Sequence, residues 1–186
     1  MLFRSAVYFE ERMIWVFLIG EHVVCGSKGV CVIEQITRLN ISGVDREREY
    51  YILKPLYLSG STVYVPVDAP KDSLRRVMSR EEAEELIAKI PELSVLTITN
   101  DKLSEAVYKE CMKTNQCADW LRVIKTIYAR RQKRLAAGRK MTAVDTRYLR
   151  QVEDNLHGEL AVALEMERSE VEKYICEKLE KSTLQV

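Results

Sequence analysis

The sequence is short of the residues from which most active sites are built. It has only two histidines, His22 and His157, among its 186 residues. Neither lies in an HExxH pattern or beside a nucleophile motif, and the chain has no glycine-rich phosphate loop, GxSxG motif or pair of catalytic carboxylates. The sequence therefore predicts a protein that is not an enzyme, with no catalytic residues and no small-molecule substrate.

The cysteines lack the spacing of a metal site or of a disulfide framework. Their odd number and wide spacing, at positions 25, 31, 111, 117 and 176 with no CxxC pair, are typical of reduced, buried thiols in a cytoplasmic protein. His22 and Cys25 resemble a catalytic dyad, but residues three apart in a strand point to opposite faces. With Cys31 added, the spacing is unlike that of a zinc site. We expect no metal and no cofactor.

Long apolar runs are also missing. No stretch approaches the roughly 20 apolar residues that span a bilayer, so we expect no membrane segment. Charged residues at positions 10–12 interrupt the N-terminal apolar run, and the uninterrupted part, 14–19, is too short for the hydrophobic region of a signal peptide. We interpret residues 1–16 as a leader or upstream start that is not part of the fold, with Met13 as an alternative start.

Residues 17–78 have the pattern of short strands separated by turns. Apolar and β-branched runs occur at 22–25, 30–36, 49–54 and 62–66, with a possible fifth strand at 74–78. Glycine-containing turns lie between them, such as Gly26-Ser27-Lys28-Gly29. This spacing predicts a small antiparallel β-barrel.

Residues 79–183 have a helical pattern instead. Ser79 with Glu82 predicts a capping box for a helix that Pro91 ends. Further helices are predicted over 103–113, with Asp101 as the cap, over 118 to about 135, after Thr142, and after Ser169. Separate strand and helix regions predict an α+β protein with two domains, 17–78 and 79–183.

The balanced net charge of +1 hides a local asymmetry. Positions 121–144 contain eight basic residues and no acidic one, whereas 145–186 contain ten acidic and six basic residues. Such a patch indicates binding to a polyanion, and without interleaved aromatic residues it favours duplex DNA over single strands. The alternative is a solvated helix end whose cations interact with the helix dipole. Trp120 and Tyr128, on the same helix, are interpreted as core residues rather than as DNA wedges.

A second feature is the segment from Arg38 to Ile41. If it is a strand, Leu39 and Ile41 project to one face and Arg38 and Asn40 to the other. An exposed apolar strand at a barrel edge is suited to strand addition by a protein partner, whereas the alternative is an ordinary strand that faces the core.

The order and spacing of several stretches resemble the CarD/CdnL family of transcription regulators. In the β region these are residues 17–24, Gly29-Val30, 41–43, 50–53, 63–66 and Leu74-Arg75, and in the helical region 123–131 and 158–164. A related N-terminal domain occurs in transcription-repair coupling factors. The resemblance covers about 17–179. It implies a Tudor-like or SH3-like barrel that binds the RNA polymerase β subunit by strand pairing.

The resemblance also implies a bacterial, cytoplasmic and nucleoid-associated protein whose helical domain contacts promoter double-stranded DNA without reading its sequence and stabilises the open complex. By position, the polymerase-binding residues are Thr37, Arg38, Leu39, Asn40, Ile41, Ser42 and Tyr64. The DNA-binding residues are Lys102, Arg130, Arg131, Lys133, Arg134, Arg139, Lys140 and Arg147.

This chain departs from the family pattern at both contacts. Family members often carry a basic residue at the positions of Leu39 and Tyr64, so the polymerase contact here is more apolar. Some members have a tryptophan wedge at the start of the first C-terminal helix, where this chain has Asp101. The second hypothesis is therefore a β-barrel adaptor that binds a protein partner without contacting DNA, and an enzyme is the third.

Overall fold

The structure is a computed structural model that describes residues 7–9, 12–14, 17–70 and 73–183. Its contacts divide the chain into two units, Met1–Arg76 and Val77–Val186. In the first unit, β1 (Val7–Phe9) pairs only with β2 (Arg12–Ile14), in an antiparallel two-stranded sheet. The remaining residues of 1–16 lie outside the described part, and their interpretation as a leader stays a prediction.

The rest of the first unit is one antiparallel sheet of five strands. They are β3 (His22–Val24), β4 (Val30–Arg38), β5 (Glu49–Pro55), β6 (Val63–Pro66) and β7 (Arg75–Arg76), arranged in the order β6-β5-β4-β3-β7. One face of this half-barrel forms a core of residues that alternate along the strands, as expected for period-2 patterning. The core residues are Val23, Cys31, Ile33, Tyr51, Leu53, Val65 and Leu74.

Two local features shape this sheet. Gly29 has φ +70° and ψ −148°, a conformation open to glycine, and it returns the chain from a short 3-10 turn into β4. The pairing of β4 with β5 shifts between Ile33 and Gln35, so Glu34 is the extra residue of a β-bulge. The five predicted strands are thus all present, with the third one ending at Pro55.

The second unit consists of five helices among the described residues. They are α1 (Arg80–Ala88), α2 (Ser104–Lys113), α3 (Cys117–Ala136), α4 (Ala143–Leu164) and α5 (Val171–Thr183). The long helices α3 and α4 pack on each other and on α2, and their buried faces include Trp120, Ile127, Val152, Leu156 and Leu160. The predicted α+β class, with a small antiparallel β-domain followed by a helical domain, is confirmed.

The caps of these helices agree in part with the sequence-based predictions. Ser79 and Glu82 form the predicted capping box of α1, and the Thr142 hydroxyl accepts a hydrogen bond from the Asp145 N–H at the start of α4. The predicted cap at Asp101 is wrong. Asn100 accepts the Lys102 N–H at 2.9 Å, and a 3-10 turn (Asp101–Leu103) then leads into α2.

Candidate docking edge and basic helical surface

The predicted polymerase-binding segment begins on β4, an inner strand of the sheet whose second edge is only partly paired. On one side, β4 pairs with β5 along its length from Cys31 to Arg38. On the other side, β3 covers only Val30–Val32, and backbone hydrogen bonds from the preceding turn reach Ile33. Beyond Ile33, no described strand pairs with this edge, which leaves the end of β4 available for strand addition.

The backbone groups at this open edge can be assigned from the register. Backbone groups of successive residues in a strand point to alternate sides, and the hydrogen bond from the Val67 N–H to the Glu49 carbonyl directs Glu49 toward β6. Tyr50 therefore directs its backbone groups toward its partner Thr37 in β4. It follows that the N–H and C=O groups of Ile36 and Arg38 point to the open edge.

The predicted arrangement of the next residues is wrong. Because β4 ends at Arg38, Leu39 and Ile41 do not lie side by side on one strand face. Leu39 is buried, whereas Ile41 is exposed and starts a turn that is closed by the Val44 N–H. Asn40 and Ser42 are exposed in the same loop, so the polar and apolar side chains here do not alternate as in a strand.

Tyr64 is exposed but does not lie beside Thr37. It is on β6, at the opposite edge of the sheet from the open end of β4, and pairs with Ile52, which in turn pairs with Gln35. Two strand spacings of roughly 4.8 Å therefore separate the row of Tyr64 from β4. Thr37 and Tyr64 share a sheet face, but strand addition at β4 does not bring a partner strand next to Tyr64.

In the second unit, some cations of α3 already bind to groups within the unit. The ammonium group of Lys125 donates to the carbonyls of Ile90 at 2.8 Å, Pro91 at 3.0 Å and Leu93 at 2.5 Å. Arg122 pairs with Asp119 at 3.3 Å. Two of the eight basic residues at 121–144 thus already have partners within the same unit.

Arg130 is the centre of a buried polar cluster. Its side chain is only 16% exposed, and its Nε and Nη2 lie 3.3 Å from the carboxylate of Asp145, which is 1% exposed. The Tyr108 hydroxyl donates to the same carboxylate at 2.9 Å. Burial lowers the pKa of Arg130, but hydrogen bonds to Asp145 and Asp101 outweigh this effect and raise it, so Arg130 stays charged. Burial and then the bond to Asp145 raise the pKa of Tyr108.

Arg134 and Arg147, also predicted to bind DNA, stand in ion pairs as well. Arg134 Nη1 lies 3.0 Å from Asp101 Oδ2, and its Nε donates to the Lys140 carbonyl at 2.8 Å. Arg147 pairs with Glu105, and both of these side chains are exposed. Asp101 lies 33 residues from Arg134, and Glu105 lies 42 residues from Arg147. Local sequence patterns therefore do not indicate either pairing.

The other predicted DNA-binding residues are exposed and pair with no carboxylate among the described residues. They are Lys102, Arg131, Lys133, Arg139 and Lys140. The last two follow Gly138, whose φ of +67° turns the chain at the end of α3. The C-terminal end of α3 and the turn before α2 come together through the Asp101 ion pairs, and this basic surface is defined here by those five residues.

Two exposed leucines that no sequence pattern indicated lie beside these basic residues in the chain. Leu103 and Leu135 are 51% and 55% exposed, next to Lys102 and Arg134. The predicted core position of Trp120 is correct, since it is fully buried, whereas Tyr128 is partly exposed and donates to Glu153 at 3.1 Å. The basic surface thus carries apolar area from leucines and none from Trp120.

Two cysteines of the first unit, Cys25 and Cys31, lie in surroundings that favour the neutral thiol. Burial raises the pKa of Cys25, and burial together with the nearby Cys25 raises the pKa of Cys31 to about 12, so both are thiols at neutral pH. Residues 7–9, 12–14, 17–70 and 73–183 contain no group of three potential metal ligands. Within the same ranges, no helix combines the length and apolar character needed to cross a bilayer.

The β-domain matches a known family model. Residues 17–78 match the model of the CarD-like/TRCF RID domain. No curated protein sequence matches the chain. The match covers the five-stranded sheet, including the open edge of β4, and stops before α1. The resemblance of this region to the CarD family is confirmed, and the first unit carries an RNA polymerase-interacting domain of that type.

Proposed function

We propose that this CarD-like/TRCF RID domain binds the β subunit of RNA polymerase by adding a polymerase strand to the open edge of β4, while the helical unit contacts promoter DNA. The main support for this proposal is that one edge of β4, near its C-terminal end, has no neighbouring strand among the described residues. This edge lies within the matched region, 17–78. Main-chain hydrogen bonds from Ile36 and Arg38 provide affinity, and the exposed side chains of Arg38 and Ile41 provide selectivity.

The experiment that tests the docking edge separates backbone from side chain at one residue. Arg38→Pro removes the N–H at the open edge, and Arg38→Ala removes the side chain but keeps the N–H. In a pull-down of the isolated polymerase β lobe, we expect Arg38→Pro to lose at least tenfold more binding than Arg38→Ala, on the order of one strong hydrogen bond. Equal binding by the two variants, with unchanged circular dichroism, would rule out strand addition at Arg38.

DNA contact is the second part of the proposal. The five cations of the basic surface lie in and near α3 and have no carboxylate partner among the described residues, which suits sequence-independent binding to backbone phosphates. Held beside the polymerase, even a weak DNA site acts at high effective concentration, so simultaneous contact stabilises the open complex.

The DNA test compares two charge-removing changes. Arg131→Gln with Lys133→Gln removes two cations of the basic surface, and Lys173→Gln removes one on α5, where it pairs with Glu177. We expect the first pair to weaken binding to duplex DNA and to reduce the salt slope by about 2, with no change for Lys173→Gln. If the protein binds polymerase but does not bind DNA, it is an adaptor without a DNA contact.

A further inference from the structure

One carboxylate lies between two guanidinium groups next to the basic surface. Asp101 Oδ1 is 2.9 Å from Arg130 Nη2, and Asp101 Oδ2 is 3.0 Å from Arg134 Nη1. The Asp101 side chain is 57% exposed, so this end of the cluster faces solvent. An oxyanion bridged by two arginines is the arrangement that proteins use to bind phosphate.

The two arginines do not depend on Asp101 for their positions. Arg130 is held by the buried carboxylate of Asp145, and Arg134 by the carbonyl of Lys140. Asp101 is also not needed to cap the turn that it starts, because Asn100 supplies that hydrogen bond. The guanidinium pair is therefore built in advance, and the Asp101 carboxylate is the one member of the cluster free to leave.

Asp101 is charged at neutral pH. The hydrogen bond from Arg130, followed by the charges of Arg130 and Arg134, lowers the pKa of its carboxyl group. Like a phosphate diester, it offers one negative charge shared by two acceptor oxygens. It therefore occupies the same kind of site that a DNA phosphate would, and a phosphate and the carboxylate cannot both lie there, because like charges repel.

We propose that Arg130 and Arg134 form a DNA-phosphate site that Asp101 occupies in the free protein, so that Asp101 acts as an internal competitor of DNA. This inference rests on the proposed contact with promoter DNA. It gives Arg130 and Arg134 a role different from that of the five open cations: they bind phosphate only after Asp101 has withdrawn. The protein alone then holds DNA weakly, which leaves binding dependent on the polymerase.

The test is Asp101→Asn, with Asp119→Asn as the matched control. The control also removes one carboxylate from an aspartate–arginine pair, but near the N-terminal end of α3. We expect Asp101→Asn to bind duplex DNA about eightfold more tightly at 0.1 M salt and to steepen the salt slope by about 1, the effect of one added phosphate contact. Asp101→Asn combined with Arg134→Gln should lose this gain. An equal gain in Asp119→Asn, or a gain that survives Arg134→Gln, overturns the proposal.

Inorganic phosphate provides a readout that does not require DNA binding. In Asp101→Asn, titration with phosphate should shift the Arg134 Nε–H resonance, and in the wild type and Asp119→Asn it should not. If no variant binds DNA, the DNA-binding part of the proposed function has failed, and this titration still decides the phosphate site. A shift restricted to Asp101→Asn supports it, and the absence of a shift overturns it.

Discussion

Replacement of Arg130 by methionine measures how much its buried ion pair with Asp145 contributes to stability. Arg130→Met removes the only basic partner that the structure gives the buried Asp145 carboxylate, and leaves it the Tyr108 hydroxyl as its side-chain donor. Breaking a buried ion pair from one side costs about 3–5 kcal/mol. Because the Arg130 side chain keeps 16% exposure, we expect the lower end, about 3 kcal/mol of unfolding free energy.

Arg131→Met is the matched control, since Arg131 is the next residue of α3 and is exposed. It should change the unfolding free energy by less than about 0.5 kcal/mol and weaken DNA binding instead. Urea unfolding followed by the fluorescence of the buried Trp120 reports on the helical unit. All variants carry Trp15→Phe, because Trp15 is the only other tryptophan. For a urea slope of about 2 kcal/mol per molar, the Arg130→Met midpoint falls by about 1.5 M.

Removal of the unpaired charge provides a second check. In the Arg130→Met protein, Asp145→Asn should recover part of the lost stability, because an amide costs less to bury than a carboxylate without a partner. Equal unfolding midpoints for Arg130→Met and Arg131→Met would refute the reasoning. In that case Arg130 would be an ordinary surface cation, and Asp145 would not hold it in place for a phosphate.

Two further changes test the interior of the helical unit. Lys125→Met removes the donor to three carbonyls, two of which are partly buried. We expect it to lower the unfolding free energy by about 2–3 kcal/mol. Urea unfolding should show almost no change for the control Lys133→Met, because Lys133 is exposed. Burial lowers the pKa of His157 below its usual 6.5, so the unfolded state takes up a proton first and stability falls as pH drops through 6.5. His157→Gln should therefore lose less stability than the wild type between pH 7.5 and 5.5, and an equal loss would contradict the assignment.

Local signals in the sequence were sufficient for most of the fold. Ser79 and Glu82 are three residues apart and form their capping box without help from distant parts of the chain. The strands were predictable because their apolar residues alternate and glycines lie between them. The prediction failed where it assumed that the strand continues past Arg38, since the end of β4 depends on how far β5 extends beside it.

The charged site was less predictable because ion pairs join residues that are distant in sequence. Asp101 was read as a helix cap, the common local role of an aspartate at a helix start. In the structure its carboxylate instead binds Arg130 and Arg134, 29 and 33 residues away. A count of basic residues along the chain identifies the basic region but overstates the number of cations that lack a carboxylate partner among the described residues.

The salt dependence of DNA binding measures how many cations are in fact available. Each phosphate neutralised contributes about −0.9 to the slope of log affinity against log salt. If only the five cations of the basic surface bind DNA phosphates, the slope is no steeper than about −4.5. If all eight residues predicted from the sequence bind phosphates, the slope is about −7. Fluorescence anisotropy of a labelled duplex between 50 and 200 mM salt distinguishes these values. A slope near −7 in the wild type would mean that Arg130, Arg134 and Arg147 exchange their carboxylate partners for phosphates on binding, and that Asp101 does not limit access to the guanidinium pair.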